Sequence, residues 1–370
     1  MARIAITSEA ELADVIRGCD APLEIVGAGT KRGYGKPLGN LDILDVSALS
    51  GILSYEPEEL VITARASTPV AEIEAAIAQK NQRLGFDPTD WGPLFGAPAN
   101  RATIAGALSA DTSGSARVRF GAARDHLLGF RAVNGLGEAY KAGGRVVKNV
   151  TGFDLPKLMC GAMGTLGILT EVTLRLVPRA PANATLVVKG VSTSEGLALL
   201  RRVWSSPLEA TGLAYIPEHN AAYIRLEGAP TPLKDKIATL RALFHGMEVL
   251  ETDDVFQKIG SGAAFIDQSL DVWRISVPPS EAAKIAVAID SPRWVADWAG
   301  GLLWVGTNET ADLHDIAKQA GGHATLMRAS AETRSRISVF PPEDEARAAL
   351  TRAVKMAFDP KGLFNPGRMG

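Results

Sequence analysis

The sequence predicts an α+β protein in two domains, and three observations carry that prediction. The chain has 370 residues, beyond the size at which a single hydrophobic core usually stops growing. Residues 1–178 are rich in glycine and mix short helices with short β-branched runs. Residues 179–340 instead run twice through one pattern of strand, helix, strand, strand, helix, strand. The net charge of -2 comes without blocks of like charge, which argues against nucleic acid as a main partner. Two cysteines, Cys19 and Cys160, are too few and too far apart in sequence for a disulfide framework or a cysteine-held metal cluster. No stretch approaches the ~20 apolar residues of a membrane span, and "MARIAITSEAELADVIRGC" has no apolar signal region. The expectation is a cytoplasmic protein with no direct membrane insertion.

The elements follow in order. Ser8 with Glu11 reads as a capping box that opens a helix over 8–18. A short strand over 24–26 then runs into "VGAGTKRGYG", residues 26–35, which looks like the start of a dinucleotide-binding unit. Such a unit needs a helix next, yet Gly33, Gly35, Pro37 and Gly39 crowd the following stretch and forbid one. A helix is expected over 69–80, and "ELVITARAS" and "GILTEVTLRLVP" read as strands. Residues 85–129 show little periodicity, so they read as an ordered, functional loop region.

The texture changes at "VPRAPANA", residues 177–184, which marks the boundary. Strands are expected over 185–190, 210–216, 221–227 and 247–251, with helices over 192–205 and 232–245. The order recurs in "VWRISVP", "SEAAKIAVAI", "RWVADWA", "GLLWVGT", "ADLHDIAKQA" and "HATLMRA". Two such units in tandem give one broad antiparallel sheet with helices on one face. Residues 341–370 add a helix and a turn-rich tail.

Three glycine-centred stretches of the first domain place small residues where backbone must approach a partner: 26–35, "TIAGALSADTSGSARVRFG" (103–121) and "CGAMGTLGILTEV" (160–172). Consecutive backbone N–H groups in turn conformations bind anions without any helix, and glycine permits the positive φ they need. With the tail "FDPKGLFNPGRM" and the run "GGRVVKNVTGFDLPKLMCGAMGTLGI", these stretches resemble the vanillyl-alcohol-oxidase group of FAD-binding proteins. Within that group the chain is similar to the FAD-binding E subunits of glycolate oxidase. The resemblance implies a PCMH-type FAD-binding domain (1–178), a ferredoxin-like cap or substrate domain (179–340) and a C-terminal segment (341–370) returning to the flavin site.

It also implies site residues. Gly27, Ala28, Gly29, Thr30 and Lys31 would wrap the pyrophosphate. Thr103, Ile104, Gly106, Ser109, Ala110, Ser113 and Gly114 would line the flavin side, with Gly121 beyond them. Gly164, Gly167 and Ile168 would meet the adenine end, with Gly161 a further cofactor-binding residue, and Asn365 would lie near the isoalloxazine. The partners implied are the paralogous flavin subunit and the iron-sulfur subunit of glycolate oxidase, through which peripheral membrane association would arise. The substrate implied is a small 2-hydroxy acid, glycolate, oxidised to glyoxylate.

Departures from the family pattern refine this. Covalent members present a histidine or cysteine to the flavin, often in the first loop, and "GAGTKRGYG" has neither, so FAD is expected to be non-covalent. The five histidines, at 126, 219, 245, 314 and 323, form no metal-binding pair, and the histidine motif of 2-hydroxy acid relatives is missing. No metal is expected. Arg274, Arg328 and His323 are the candidates for substrate contact, with Arg274 and His323 as the catalytic pair: a carboxylate clamp and a base for the hydroxyl proton. Two alternatives stay open: a structural partner subunit without flavin turnover, and a stand-alone FAD oxidase of another alcohol.

Overall fold

The computed structural model describes residues 1–144, 153–251, 254–267, 269–289, 291–308 and 311–369. The 145–152 part of the third glycine-containing run lies outside the described residues. The chain divides into two compact units: Met1–Thr112, Gly121–Pro178 and Pro342–Gly370 form the first, and Ser113–Phe120 with Arg179–Pro341 form the second.

The first unit opens with a three-stranded parallel sheet of β1 (Arg3–Ala5), β2 (Leu23–Val26) and β3 (Asp42–Asp45), in the order β1-β3-β2. The helix Glu9–Arg17 buries Leu12, Ala13 and Ile16 on the i, i+4 face that packs on this sheet. Ser8 caps it by accepting the Glu11 amide at 3.2 Å, while the Glu11 carboxylate accepts from the Thr7 amide and hydroxyl. A second, antiparallel sheet holds β4 (Ile52–Glu56), β5 (Val61–Arg65), β6 (Gln82–Leu84), β7 (Leu127–Val133), β8 (Ala139–Gly143) and β9 (Ile168–Pro178). The 11-residue β9 is its centre, paired with β5, β6 and β7, and its buried Val172, Leu174 and Leu176 alternate inward as a half-buried strand requires. The helix expected over 69–80 forms as Val70–Ala78.

After the helix Glu345–Phe358 the tail folds back onto β2. Leu23 donates its amide to Leu363 at 2.8 Å and accepts from the Asn365 amide at 3.1 Å, so the tail extends the parallel sheet by one bridge. The turn is built on Asp359, fully buried, whose carboxylate accepts the amides of Leu363 and Phe364 and the Lys355 ammonium. Lys355 also donates to the Thr165 and Phe364 carbonyls.

The second unit carries β10 (Ala182–Lys189), β11 (Gly212–Ile216), β12 (Ala221–Gly228), β13 (Glu248–Val249), β14 (Asp271–Ser276), β15 (Arg293–Asp297), β16 (Leu302–Thr307) and β17 (His323–Arg328). Their order, β13-β10-β12-β11-β15-β16-β14-β17, is two four-stranded sheets of fourth-first-third-second order joined through their second strands at Tyr215 and Ala296. All these pairs are antiparallel, as two tandem βαββαβ units require. Helices Thr193–Trp204, Pro230–Leu243, Ala282–Ile289 and His314–Gln319 bury Leu197, Leu200, Leu240, Ile285 and Ala317 against one sheet face. The opposite face carries Arg225, Arg274, Asp297 and Trp304, the alternate residues of the same strands.

Replacing Asp359 by Ala should strand the Lys355 charge and two buried amides. We expect a stability loss of about 3 kcal/mol in urea unfolding. A loss below about 1 kcal/mol would show that the tail is not fastened by this carboxylate.

Candidate functional site

An open cavity of about 860 Å³, mouth included, lies within the first unit. Its floor is the loop that leaves β2. Gly27 sits where an added Cβ would stand 3.3 Å from Ser67 Oγ and 3.4 Å from Thr103 Oγ1, a tight fit that a larger residue could make only if these two hydroxyl side chains gave way by a few tenths of an ångström. Gly29 takes φ of +71°, the left-handed turn that a branched residue resists. The outcome is a run of outward-turned backbone: among the described residues, the amides of Gly27, Ala28, Gly29, Thr30 and Lys31 donate to no protein acceptor. Such amides at a cavity wall form an anion-binding nest.

Lys31 completes it. Its ammonium lies 3.4 Å from Thr30 Oγ1, and 3.7 Å from where a Cβ on Gly106 would stand. Burial pushes its pKa down to about 8, only partly opposed by the charge of Asp90. A partly buried cation at a cavity wall, beside unsatisfied N–H groups, is a strong attractor for a phosphate or carboxylate. The far wall is the helix Ile104–Ser109, capped by Thr103, whose Oγ1 accepts the Gly106 amide at 3.3 Å.

The tail closes one side. Asn365, at φ +43°, accepts the Ile25 amide through Oδ1 and donates from Nδ2 to the Met163 carbonyl, both at 2.9 Å. Arg368 donates to the Arg32 and Tyr34 carbonyls and pairs with the buried Glu24 carboxylate, which Arg32 grips from the other side. Burial raises the Glu24 pKa, but the two arginines outweigh that and hold the carboxyl below the usual carboxylate range.

Most of the residues singled out in the sequence meet at this cavity. Gly27, Ala28, Gly29, Thr30, Lys31, Thr103, Gly106, Ser109, Ala110, Gly164, Gly167, Ile168 and Asn365 line it. Five others do not. Ile104 is fully buried in the hydrophobic core, Gly161 spends its amide on the Leu108 carbonyl, and Gly121 forms a turn beside Asp125. Ser113 and Gly114 belong to the second unit, where Gly114 accepts from the Trp298 indole. Asn365 lines the cavity, yet its amide atoms are spent on backbone. Sequence reasoning missed Glu24, Arg32, Tyr34, Met163 and Arg368, although Arg32 and Arg368 stand inside the quoted motifs as cations in otherwise small-residue turns.

In the second unit Arg274 lies over the rings of Trp298 and Trp304, at 5.1 and 5.7 Å from their centroids. Arg274 pairs with Thr325, and Ser276 with His323, so Arg274 and His323 share the helix-free face, His323 being exposed at the start of β17. Arg328 is corrected: a register shift puts it opposite Val272, and its guanidinium donates to the carbonyls of Phe265, Ile266, Asp267 and Leu270. It is a structural staple with its donors spent. Among the described residues no group of three His, Cys, Asp or Glu side chains could hold a metal.

A family model described as an FAD binding domain matches residues 2–143. The glycolate oxidase subunit GlcE of Escherichia coli K12 is 36% identical over 351 residues, covering 94% of this chain and 92% of that protein. The glycolate oxidase subunit GlcD of Bacillus subtilis 168 is 27% identical, covering 87% and 77%. A D-2-hydroxyglutarate dehydrogenase of Stutzerimonas stutzeri A1501 is 29% identical, covering 78% and 74%. Among solved structures, p-cresol methylhydroxylase with substrate bound has the same fold at a TM-score of 0.75 and 15% identity, covering 100% of this chain and 88% of its own.

The Lys31 environment has a pH signature. Its pKa is about 8 in the folded chain against an ordinary 10.5. The folded state therefore binds fewer protons between these values, so stability rises with pH across that window and the cost is full at pH 7. Lys31→Met should stabilise the ligand-free chain at pH 7 by about 1–2 kcal/mol, with the gain shrinking from pH 8 to 10 in urea unfolding. A destabilised variant at pH 7 would contradict this account of the amine.

Proposed function

The chain belongs to the FAD-binding oxidoreductase family that includes glycolate oxidase subunit GlcE, and from that premise we propose that it is the FAD-binding subunit of a complex oxidising glycolate to glyoxylate. Electrons would leave through partner subunits, one a paralogous flavoprotein and one an iron-sulfur protein. The observation that carries this reading is the run of five undonated amides beside Lys31, at a cavity in the domain that the FAD family model matches.

The donor set fits the cofactor. A diphosphate brings negative charge and many acceptors, and the loop 27–31 supplies five amides and one ammonium to meet them. Gly164, Gly167 and Ile168 would hold the remainder with backbone and small surfaces, and Thr103 to Ala110 would form the opposite wall. Neither histidine nor cysteine stands in the loop, so we assign non-covalent binding. When bound, FAD accepts a hydride and releases electrons singly, which connects two-electron substrate chemistry to one-electron carriers.

The protein's own part is to bind and orient. The protonated Lys31 offsets diphosphate charge, and the tail holds the loop in register through Asn365 and Arg368. Arg274 is assigned to the carboxylate of the 2-hydroxy acid, and His323, on the same sheet face, to its hydroxyl proton. Among the described residues no helix is long and apolar enough to cross a membrane.

Acid precipitation should release one flavin per chain into the supernatant, and Gly29→Val should yield a folded but colourless protein. Flavin in the pellet would exclude non-covalent binding, and Gly29→Val with wild-type flavin content would misplace the nest.

A second expectation concerns division of labour. Anaerobic glycolate should bleach the flavin absorbance of the isolated chain negligibly, and rapidly once the partner subunits are present. Rapid bleaching without partners would make this a self-sufficient enzyme.

A further inference from the structure

The helix Glu345–Phe358 is fastened to the first unit along one side. Val354 and Phe358 pack against the core of the antiparallel sheet, and Lys355 reaches inward to Asp359 and the Thr165 carbonyl. None of its residues is fully buried. Its other side is apolar as well. Ala346, Ala349, Leu350, Ala353, Met356 and Ala357 are all exposed, Leu350 at 66% and Met356 at 58%. Their spacing puts them on one stripe of an α-helix, with no polar or charged residue inside it. A surface helix ordinarily turns its apolar stripe to the core, and a continuous apolar face turned to water marks a contact surface.

The charges that flank the stripe indicate what covers it. Glu345 and Arg352 lie along the same edge, both exposed, and among the described residues neither makes an ion pair. Seven residues span about 10 Å of helix, so the two do not pair with each other. A two-fold axis through the stripe between Ala349 and Leu350 runs a second helix antiparallel to the first. It sets Ala346 across from the second copy's Ala353 and Ala349 across from the second copy's Leu350. Each Glu345 then falls within two residues, about 3 Å along the axis, of the second copy's Arg352. The ion pair forms twice, once on each side of the axis. The alanines let the backbones approach to the short end of the usual packing distances, and the helix dipoles run in opposite directions. An unrelated partner requires no such arrangement, whereas a two-fold contact does, because one surface must supply both halves.

We infer that the outer face of this helix is a docking surface for a second copy of the chain, formed by antiparallel pairing of the two helices about that axis. The inference is independent of the function proposed above. Two helices of 14 residues cover less than about 1,200 Å² in all, the range of transient complexes, so the pairing is weak, with a dissociation constant of about 10–100 µM.

The test is sedimentation equilibrium of the full, FAD-loaded chain, from concentrations tenfold below that constant to tenfold above it. The wild type should pass from monomer to dimer across this range, and Leu350→Glu, which places like charges beside the axis, should stay monomeric. Glu345→Arg and Arg352→Glu should each weaken the dimer at least threefold, and the double variant carrying both exchanges should return to within twofold of wild type. An effect on the helix alone would not be undone by the second exchange, because the two side chains do not meet within one chain. The three positions are exposed, so every variant should keep its circular dichroism and flavin content. Wild-type chain that stays monomeric throughout, dimers unaffected by Leu350→Glu, or a double variant as weak as the single ones would overturn the inference. A monomeric wild type whose Leu350→Glu variant fails to join the partner subunits would overturn it too, and would give this face to one of them.

Discussion

The buried carboxylate of Glu24, gripped by Arg32 and Arg368, is the constraint on which the first unit's cavity depends. Glu24 sits on β2, Arg32 lies just past the nest, and Arg368 comes from the far end of the chain. An unpaired charge at Glu24's depth would be strongly unfavourable, so the three must stay together once the chain has folded. Their union sets where β2 ends, where the loop turns back and where the tail stops. Asn365 adds two neutral hydrogen bonds, one to β2 and one to the turn at Met163.

With both flanks fixed in this way, the loop between them is left with nothing to pair. Folding usually satisfies nearly every backbone N–H, and five consecutive exceptions at a cavity wall, beside an ammonium pushed down to about 8, amount to a preformed site. The second unit follows a comparable logic on different chemistry. A broad sheet buries one face under helices and presents arginines and tryptophans on the other, where Arg328 and Asp297 spend hydrogen bonds to hold the backbone and Arg274 stacks on indoles.

Much of this was legible in the sequence, for identifiable reasons. The crowd of Gly33, Gly35, Pro37 and Gly39 ruled out a helix after the nest, and the repeated strand and helix order foretold a tandem sheet with helices on one face. What escaped was decided by distant partners. Arg368 finds Glu24 across 344 positions, and Ser115 finds Asp297 across 182, so no local pattern marks either. The segment 113–120 resembles a continuation of the first domain's glycine region, yet the hydrogen bond from Ser115 to Asp297 takes it into the second unit. Arg328 stays opposite Val272, on the face of Arg274, through the register shift in β17, and what removes it from substrate contact is a set of carbonyls some sixty positions earlier in the chain that no local pattern marks. Asn365 was found by its motif, but its side chain is spent on two backbone partners.

The central claim, that the amides of residues 27–31 stand ready for the cofactor's diphosphate, is tested most directly by hydrogen exchange at those amides with and without FAD. The account predicts fast exchange in the flavin-free chain and protection by about a hundredfold or more once FAD is bound, while the amides of β9 stay protected in both states. Equal exchange at residues 27–31 in the two states would contradict it.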